Sequence, residues 1–183
     1  MKGTESAIMD AFGQLLDEKP LNKITVKDIV ERCEINRNTF YYHFQDIPTL
    51  LEQTLNEKAD WLIQNHYSPG RPIDCIRPLI QYGVERKRAI LHVYKAVPCE
   101  RFLMLIEKIL GYIVREYFEN EFAQAMPNPE DKELLVRYYQ CTMVGILLDW
   151  IGADMSYDLL HASERLCTLM EGTGRQAIHK AAQ

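Results

Sequence analysis

An all-α protein is what this sequence predicts, and three observations predict it. Apolar residues recur at steps of three and four along nearly every segment longer than ten residues. Capping residues and Pro or Gly breaks separate those segments. No alternating apolar and polar run marks a strand, and no internal repeat is visible. The 183 residues suffice for a real core, and a composition of 47% hydrophobic and 26% charged residues is not that of a disordered chain.

The first helix, from Thr4 to Glu18, places Ile8, Ala11, Phe12 and Leu15 on one stripe, with Thr4 as its expected cap. Lys19-Pro20-Leu21-Asn22 stops it. Thr25 opens a second helix, with Asp28 placed to reach back as a capping box, and Ile29, Val30 and Cys33 follow on its apolar face. Glu34-Ile35 is a turn, and Asn36 starts a short third helix carrying Phe40, Tyr41 and Phe44. Asp46 caps a fourth, helix 47–66, with Pro48 in a first turn where its missing N–H costs nothing. Ser68-Pro69-Gly70-Arg71-Pro72 interrupts the chain. Helices then follow over 73–87 (with Pro78 as a kink), 88–97, 99–124, 130–151 and 156–171. The domain division is expected at the long fourth helix: 1–46, then 47–183.

Several function classes are disfavoured. The net charge of −5 argues against a nonspecific nucleic-acid coat, though not against a local basic face. The most apolar stretch, Cys141 to Ile151, is broken by Asp149, so no membrane span is expected. No secretory signal is expected either, and a cytoplasmic location follows. The 5 cysteines form no CxxC pair, and the His and Cys residues show no metal-ligand spacing, so no metal or cofactor is expected. Signatures for dinucleotide, P-loop, zinc-protease or serine-hydrolase chemistry are missing, which points away from an enzyme.

Residues 24–51 carry the chemistry. A capped helix, a two-residue turn and a second short helix make a helix-turn-helix, a unit that lays its second helix in the major groove. The residues leading into that groove are Asn36, Arg37, Asn38 and Thr39, all hydrogen-bonding and none acidic. Arg can reach guanine edges or phosphate, and Asn can pair with adenine. One turn on, Tyr41, Tyr42 and His43 offer aromatic bodies with polar tips for sugar and phosphate. Thr25 offers a hydroxyl at a helix start, and Lys27 is added for its charge and position. Over residues 1–46 there are six basic and eight acidic residues, a net of −2, whereas 19–43 carries +2. The basic face is narrow, so affinity should depend on a pair of subunits.

Ile24-Thr25-Val26-Lys27-Asp28-Ile29, Ile35, Thr39-Phe40-Tyr41-Tyr42-His43-Phe44 and Leu50-Leu51 together resemble the DNA-binding domain of TetR/AcrR transcriptional regulators. The resemblance implies about nine helices: three in an N-terminal helix-turn-helix domain, and a larger bundle that binds a small-molecule effector and forms a homodimer on double-stranded operator DNA. It gives Thr25 and Tyr41 backbone-phosphate roles, and places Arg37, Asn38, Thr39 and Tyr42 in the groove. His43 resembles a phosphate or base contact. Three departures stand out. Cys33-Glu34 replaces the usual Ala-Gly of the turn, which brings a carboxylate near DNA and some backbone strain. Ile47 replaces a common Lys. Lys19-Pro20-Leu21 stands where a Gly-aromatic pair is usual.

In the remaining chain, the helix over 130–151 is apolar on more than one face, and an extra face needs a partner. Leu134, Cys141, Gly145, Leu148, Leu159, Leu166 and Leu169 are the expected dimer face. Trp61, Tyr82, His92, Met104, Tyr138, Met143 and Trp150 are candidates for an effector pocket, each of which could equally be ordinary core. The favoured reading is a ligand-responsive repressor on a near-palindromic operator. The alternative is a helical adaptor that binds a small molecule or protein and not DNA.

Overall fold

The computed structural model describes residues 3–66, 72–122 and 128–170. Of the expected breaks, 68–71, Pro127 and Gly172-Thr173-Gly174 lie outside the described residues, as do the expected helix ends at Gln124 and Glu171. Nine α-helices and one 3-10 turn occur among those described: α1 (Thr4–Glu18), the turn Leu21–Lys23, α2 (Val26–Cys33), α3 (Arg37–His43), α4 (Ile47–His66), α5 (Pro72–Glu85), α6 (Lys87–Tyr94), α7 (Cys99–Phe122), α8 (Pro129–Gly152) and α9 (Leu159–Leu169). The fold is all-α, as the periodicity predicts.

Two compact units result. The first comprises residues 1–60 and 86–102, the second 61–85 and 103–183. The first is larger than the 1–46 segment delimited from the sequence, because α6 packs on α1. Ile8, Phe12, Leu15 and Leu16 of α1, Ile29 and Val30 of α2, and Phe40 and Phe44 around α3 are buried. Leu50 and Leu51 of α4 are buried as well.

Polar contacts fix how α6 meets α1. The last four carbonyls of any α-helix lack an intrahelical donor. His92 Nδ1 lies 2.6 Å from the Leu16 carbonyl, and since a carbonyl only accepts, the ring proton sits on Nδ1. Arg86 donates to the Gly13 carbonyl at 3.0 Å and pairs with Asp17 at 2.7 Å. A guanidinium at the C-terminal end of α1 also suits the helix dipole. On the other side of α1, the Cys33 thiol donates to the Ala7 carbonyl at 3.5 Å, and Arg32 makes a two-pronged pair with Glu18 at 2.6 and 2.7 Å.

In the second unit, Val114 and Phe118 of α7 meet Val136 of α8, with Tyr117, Phe122, Leu135, Tyr139 and Met143 packed around them. Arg115 pairs with Glu133 at 3.0 Å, and Lys132 pairs with Glu119. Arg77 of α5 reaches Glu164 of α9 at 2.9 Å. Trp150 is buried and donates its indole N–H to the Tyr157 carbonyl at 2.9 Å.

Two caps differ from expectation. Gly3, not Thr4, precedes α1, and Thr4 is its first helical residue. Ser156 is the cap that the sequence suggests for the last helix, but Asp158 caps α9 by accepting from the His161 N–H at 2.9 Å, so the cap lies two residues later. The chain leaving α8 stays coiled through Asp154 and Met155, both at positive φ, with the Met155 N–H donating to the Trp150 carbonyl. The same device ends α2. Ile35 N–H donates to the Val30 carbonyl at 3.0 Å and Glu34 N–H to the Glu31 carbonyl, with Glu34 at φ 55 and ψ 41. This is a Schellman motif with Glu where Gly is favoured. A left-handed non-Gly residue costs about 1–2 kcal/mol, partly offset by the entropy Gly adds to the unfolded chain. Glu34→Gly should therefore stabilise the protein by about 0.5–1 kcal/mol, raising the thermal midpoint by about 2 °C in calorimetry.

Candidate nucleic-acid interface

The helix-turn-helix is built by side chains closing on their own backbone. Thr25 accepts from the Asp28 N–H at 3.2 Å, and Asp28 accepts from the Thr25 N–H at 2.7 Å, the predicted capping box. Asp28 also accepts from the Thr25 hydroxyl at 2.6 Å and pairs with Lys19 at 2.8 Å. Lys19 and then Thr25 hold the Asp28 carboxyl far below the usual carboxylate range. Lys19 comes from one of the departures from the family pattern, Lys19-Pro20-Leu21. Its partnership with Asp28, nine residues on, needs the folded turn and was not legible in the sequence.

Asn36 caps α3, its side-chain oxygen accepting from the Thr39 N–H at 2.8 Å and from the Thr39 hydroxyl at 3.1 Å. Asn36 and Thr39 therefore hold the helix start rather than projecting unengaged. Phe40 and Phe44 anchor the inner side of α3 in the core. The outer side presents Arg37 and Asn38, both exposed, with Tyr41 55% and Tyr42 85% exposed. Tyr41 packs edge-to-face on the buried Phe40 at 5.4 Å, which leaves Tyr42 as the most exposed ring of α3. His43 is half-buried, its ring edge-to-face with Tyr42 at 5.1 Å. Lys27 is exposed and faces Glu31 at 3.6 Å. Asp46 accepts from the Thr49 N–H at 2.8 Å, which sets the start of α4 beside Ile47.

The effector candidates do not share one environment. His92 belongs to the first unit, where it caps α1, whereas Trp61, Tyr82, Met104, Tyr138, Met143 and Trp150 belong to the second. Met104, Tyr138 and Trp61 are exposed, Tyr82 is half-buried, Met143 packs on the Val114 cluster and Trp150 is core. Among the expected dimer residues, Leu159 is only 4% exposed and serves its own subunit. Leu134, Cys141, Gly145, Leu166 and Leu169 are exposed, and Leu148 is half-buried. Among the described residues no His, Cys, Asp and Glu group could hold a metal ion, and no helix is long and apolar enough to cross a membrane.

Residues 8–54 match the family described as "Bacterial regulatory proteins, tetR family", and residues 71–172 match "Transcriptional regulator C-terminal region". This chain belongs to the TetR family of transcriptional regulators. It is 19% identical over 162 residues to a Bacillus subtilis (strain 168) protein named as the uncharacterized HTH-type transcriptional regulator YxbF. The match takes in 84% of this chain but 41% of that protein. Among solved structures, the dihydroxyacetone kinase operon activator DhaS is similar, with a TM-score of 0.75 at 19% identity. The similarity spans 91% of this chain and 93% of that one, and it supports the TetR-like fold.

The Asp28 network makes the helix-turn-helix sensitive to acid. A carboxyl held below its unfolded value of 3.8 adds stability above that value, and loses it as pH falls toward the folded value. Glu18, held down by Arg32, and Asp46, held down by Thr49, act in the same direction. The thermal midpoint should stay flat from about pH 7 to about pH 5 and drop below about pH 4. Asp28→Asn should lower the midpoint at neutral pH and flatten the acid limb. An acid limb as steep as wild type in that variant would place its origin elsewhere.

Proposed function

We propose that this regulator is a homodimeric, ligand-responsive repressor that binds a near-palindromic operator in the cytoplasm. One observation carries the DNA-reading part: a short capped helix, seated on Phe40 and Phe44, leaves Arg37, Asn38, Tyr41 and Tyr42 exposed together. A helix of this kind enters the major groove with its N-terminal side chains leading. Arg37 and Asn38 read base edges, while Tyr41, Tyr42, His43, Lys27 and Thr25 steady the phosphate backbone. Asn36 and Thr39 contribute mainly by fixing the start of α3, since their oxygens are engaged with each other. Selection of bound duplexes from a random pool should recover a two-fold related motif with half-sites about one helical turn apart. Arg37→Ala and Tyr42→Ala should abolish the specific gel shift. A pool that yields no preferred sequence at any salt concentration would favour the adaptor reading.

The homodimer is supported by apolar faces that the subunit leaves bare. On α8, Leu134, Tyr138, Cys141, Gly145 and Leu148 recur at steps of four and three, the spacing of a helix–helix seam. Leu134 is 61% exposed, and a side chain added at Gly145 would meet nothing within 4 Å. On α9, Leu166 and Met170 are exposed and Leu169 is 65% so. Two helices from each subunit would bury these faces as a four-helix interface. Leu134→Glu or Leu169→Glu should shift sedimentation from a pair to a single subunit. Both residues are exposed in the subunit, so their replacement should leave its helical content unchanged.

Responsiveness to a ligand is supported by the route of the chain. The compact unit that holds α3 also holds α6, which is joined through α5 and α7 to residues of the other unit. An effector that binds one arrangement of those helices better than another shifts the DNA affinity by that difference in binding energy. Repression is the commoner mode in the family, and the solved relative named as an operon activator exemplifies the opposite sign.

A further inference from the structure

The charges of the helix-turn-helix do not all face DNA on equal terms. Over residues 19–43, three of the five cations are taken up within the subunit: Lys19 by Asp28 at 2.8 Å, Lys27 by Glu31 at 3.6 Å and Arg32 by Glu18 at 2.6 Å. Those pairs also occupy two of the three carboxylates in this segment. Among the described residues, Lys23 and Arg37 are left without an ion-pair partner on the positive side, and Glu34 on the negative.

Glu34 is exposed, and the turn holds it in a left-handed conformation that Gly would adopt at no steric cost. Three residues separate it from Arg37, so their Cα atoms lie within about 11 Å, whatever the local path. That is close to one Debye length at moderate salt. At low salt the screening length (about 30 Å at 0.01 M) well exceeds that spacing, so a duplex held by Arg37 feels the Glu34 carboxylate as well.

We infer that Glu34 is an affinity-limiting residue of the DNA interface: its unpartnered carboxylate, held beside the start of α3, repels the phosphates that Arg37 attracts. The inference rests on the DNA-binding reading above. Because every duplex carries the same phosphates, Glu34 lowers affinity for all sequences alike and leaves the choice among them to base contacts. A subunit with so little free positive charge then holds DNA only when both copies engage.

The test uses the full chain and a fluorescent mixed-sequence duplex of about 40 base pairs, followed by anisotropy. Glu34→Gln keeps the backbone strain and removes the charge, Glu34→Gly removes both, and Glu34→Asp keeps both. The Gln and Gly variants should each bind about tenfold tighter than wild type at about 50 mM salt, the gain shrinking to about threefold at about 200 mM. The Asp variant should stay close to wild type. An unchanged or weaker Gln variant overturns the inference, as does a gain that ignores salt or belongs to Gly alone, since that would be strain relief. If neither wild type nor the Gln variant binds any duplex, the DNA-binding reading and this inference fall together. If wild type binds and the Gln variant is unmoved, this inference falls alone.

Discussion

The end of α1 is where the first unit is made. A helix that stops inside a protein leaves carbonyls that must find donors, and here the Leu16 carbonyl finds His92, 76 residues away in the chain, while Arg86 adds a second donor to the Gly13 carbonyl one turn earlier. Arg86 and His92 are thus structural members of the helix-turn-helix unit, although the sequence separates them from it by two helices. Burying Ala89 and Val93 of α6 adds apolar contact, but the carbonyl contacts add direction, because hydrogen bonds specify an angle and a register that apolar packing alone does not. With α1 fixed at both of its flanks, α2 and α3 inherit a defined seat.

A second theme is how the same kind of short-range closure limits what the surface offers to others. The Thr25–Asp28–Lys19 cluster makes the start of α2 self-sufficient, and the Asn36–Thr39 pair does the same for α3. Each closure strengthens a short helix that could not stand alone in water. Each also withdraws a hydroxyl, an amide or a cation from possible partners. What stays exposed on α3 is small: Arg37, Asn38, Tyr41 and Tyr42.

Much of the fold was legible because helix periodicity and caps act locally. The apolar stripe of α1, the capping box at Thr25, the Asn36 cap and the inward pair Phe40 and Phe44 all depend on neighbours within four residues. What was not legible depended on distant neighbours. His92 sits among apolar residues, a setting shared by core, ligand and capping histidines, and only the approach of α1 distinguishes them. Ser156 and Asp158 are equally good caps in isolation; the indole of Trp150 holding the Tyr157 carbonyl selects the later one. Leu159 and Leu166, two turns apart, share one side of the helical wheel, yet one is buried and the other is exposed. Of the candidate interface, α3 was readable from residue types and the resemblance, whereas the ion pairs that deplete its charge link residues up to fourteen positions apart.

The passage of the chain between the two units has a practical corollary. The backbone enters and leaves the helix-turn-helix unit more than once, since residues 86–102 return to it after 61–85. A reading head made this way is not a detachable module. Recombination that grafted only the first sixty residues onto another protein would strip α1 of its Arg86 and His92 contacts and leave the Leu16 carbonyl at its end without a donor. A working transplant would have to carry residues 86–102 along with the first sixty.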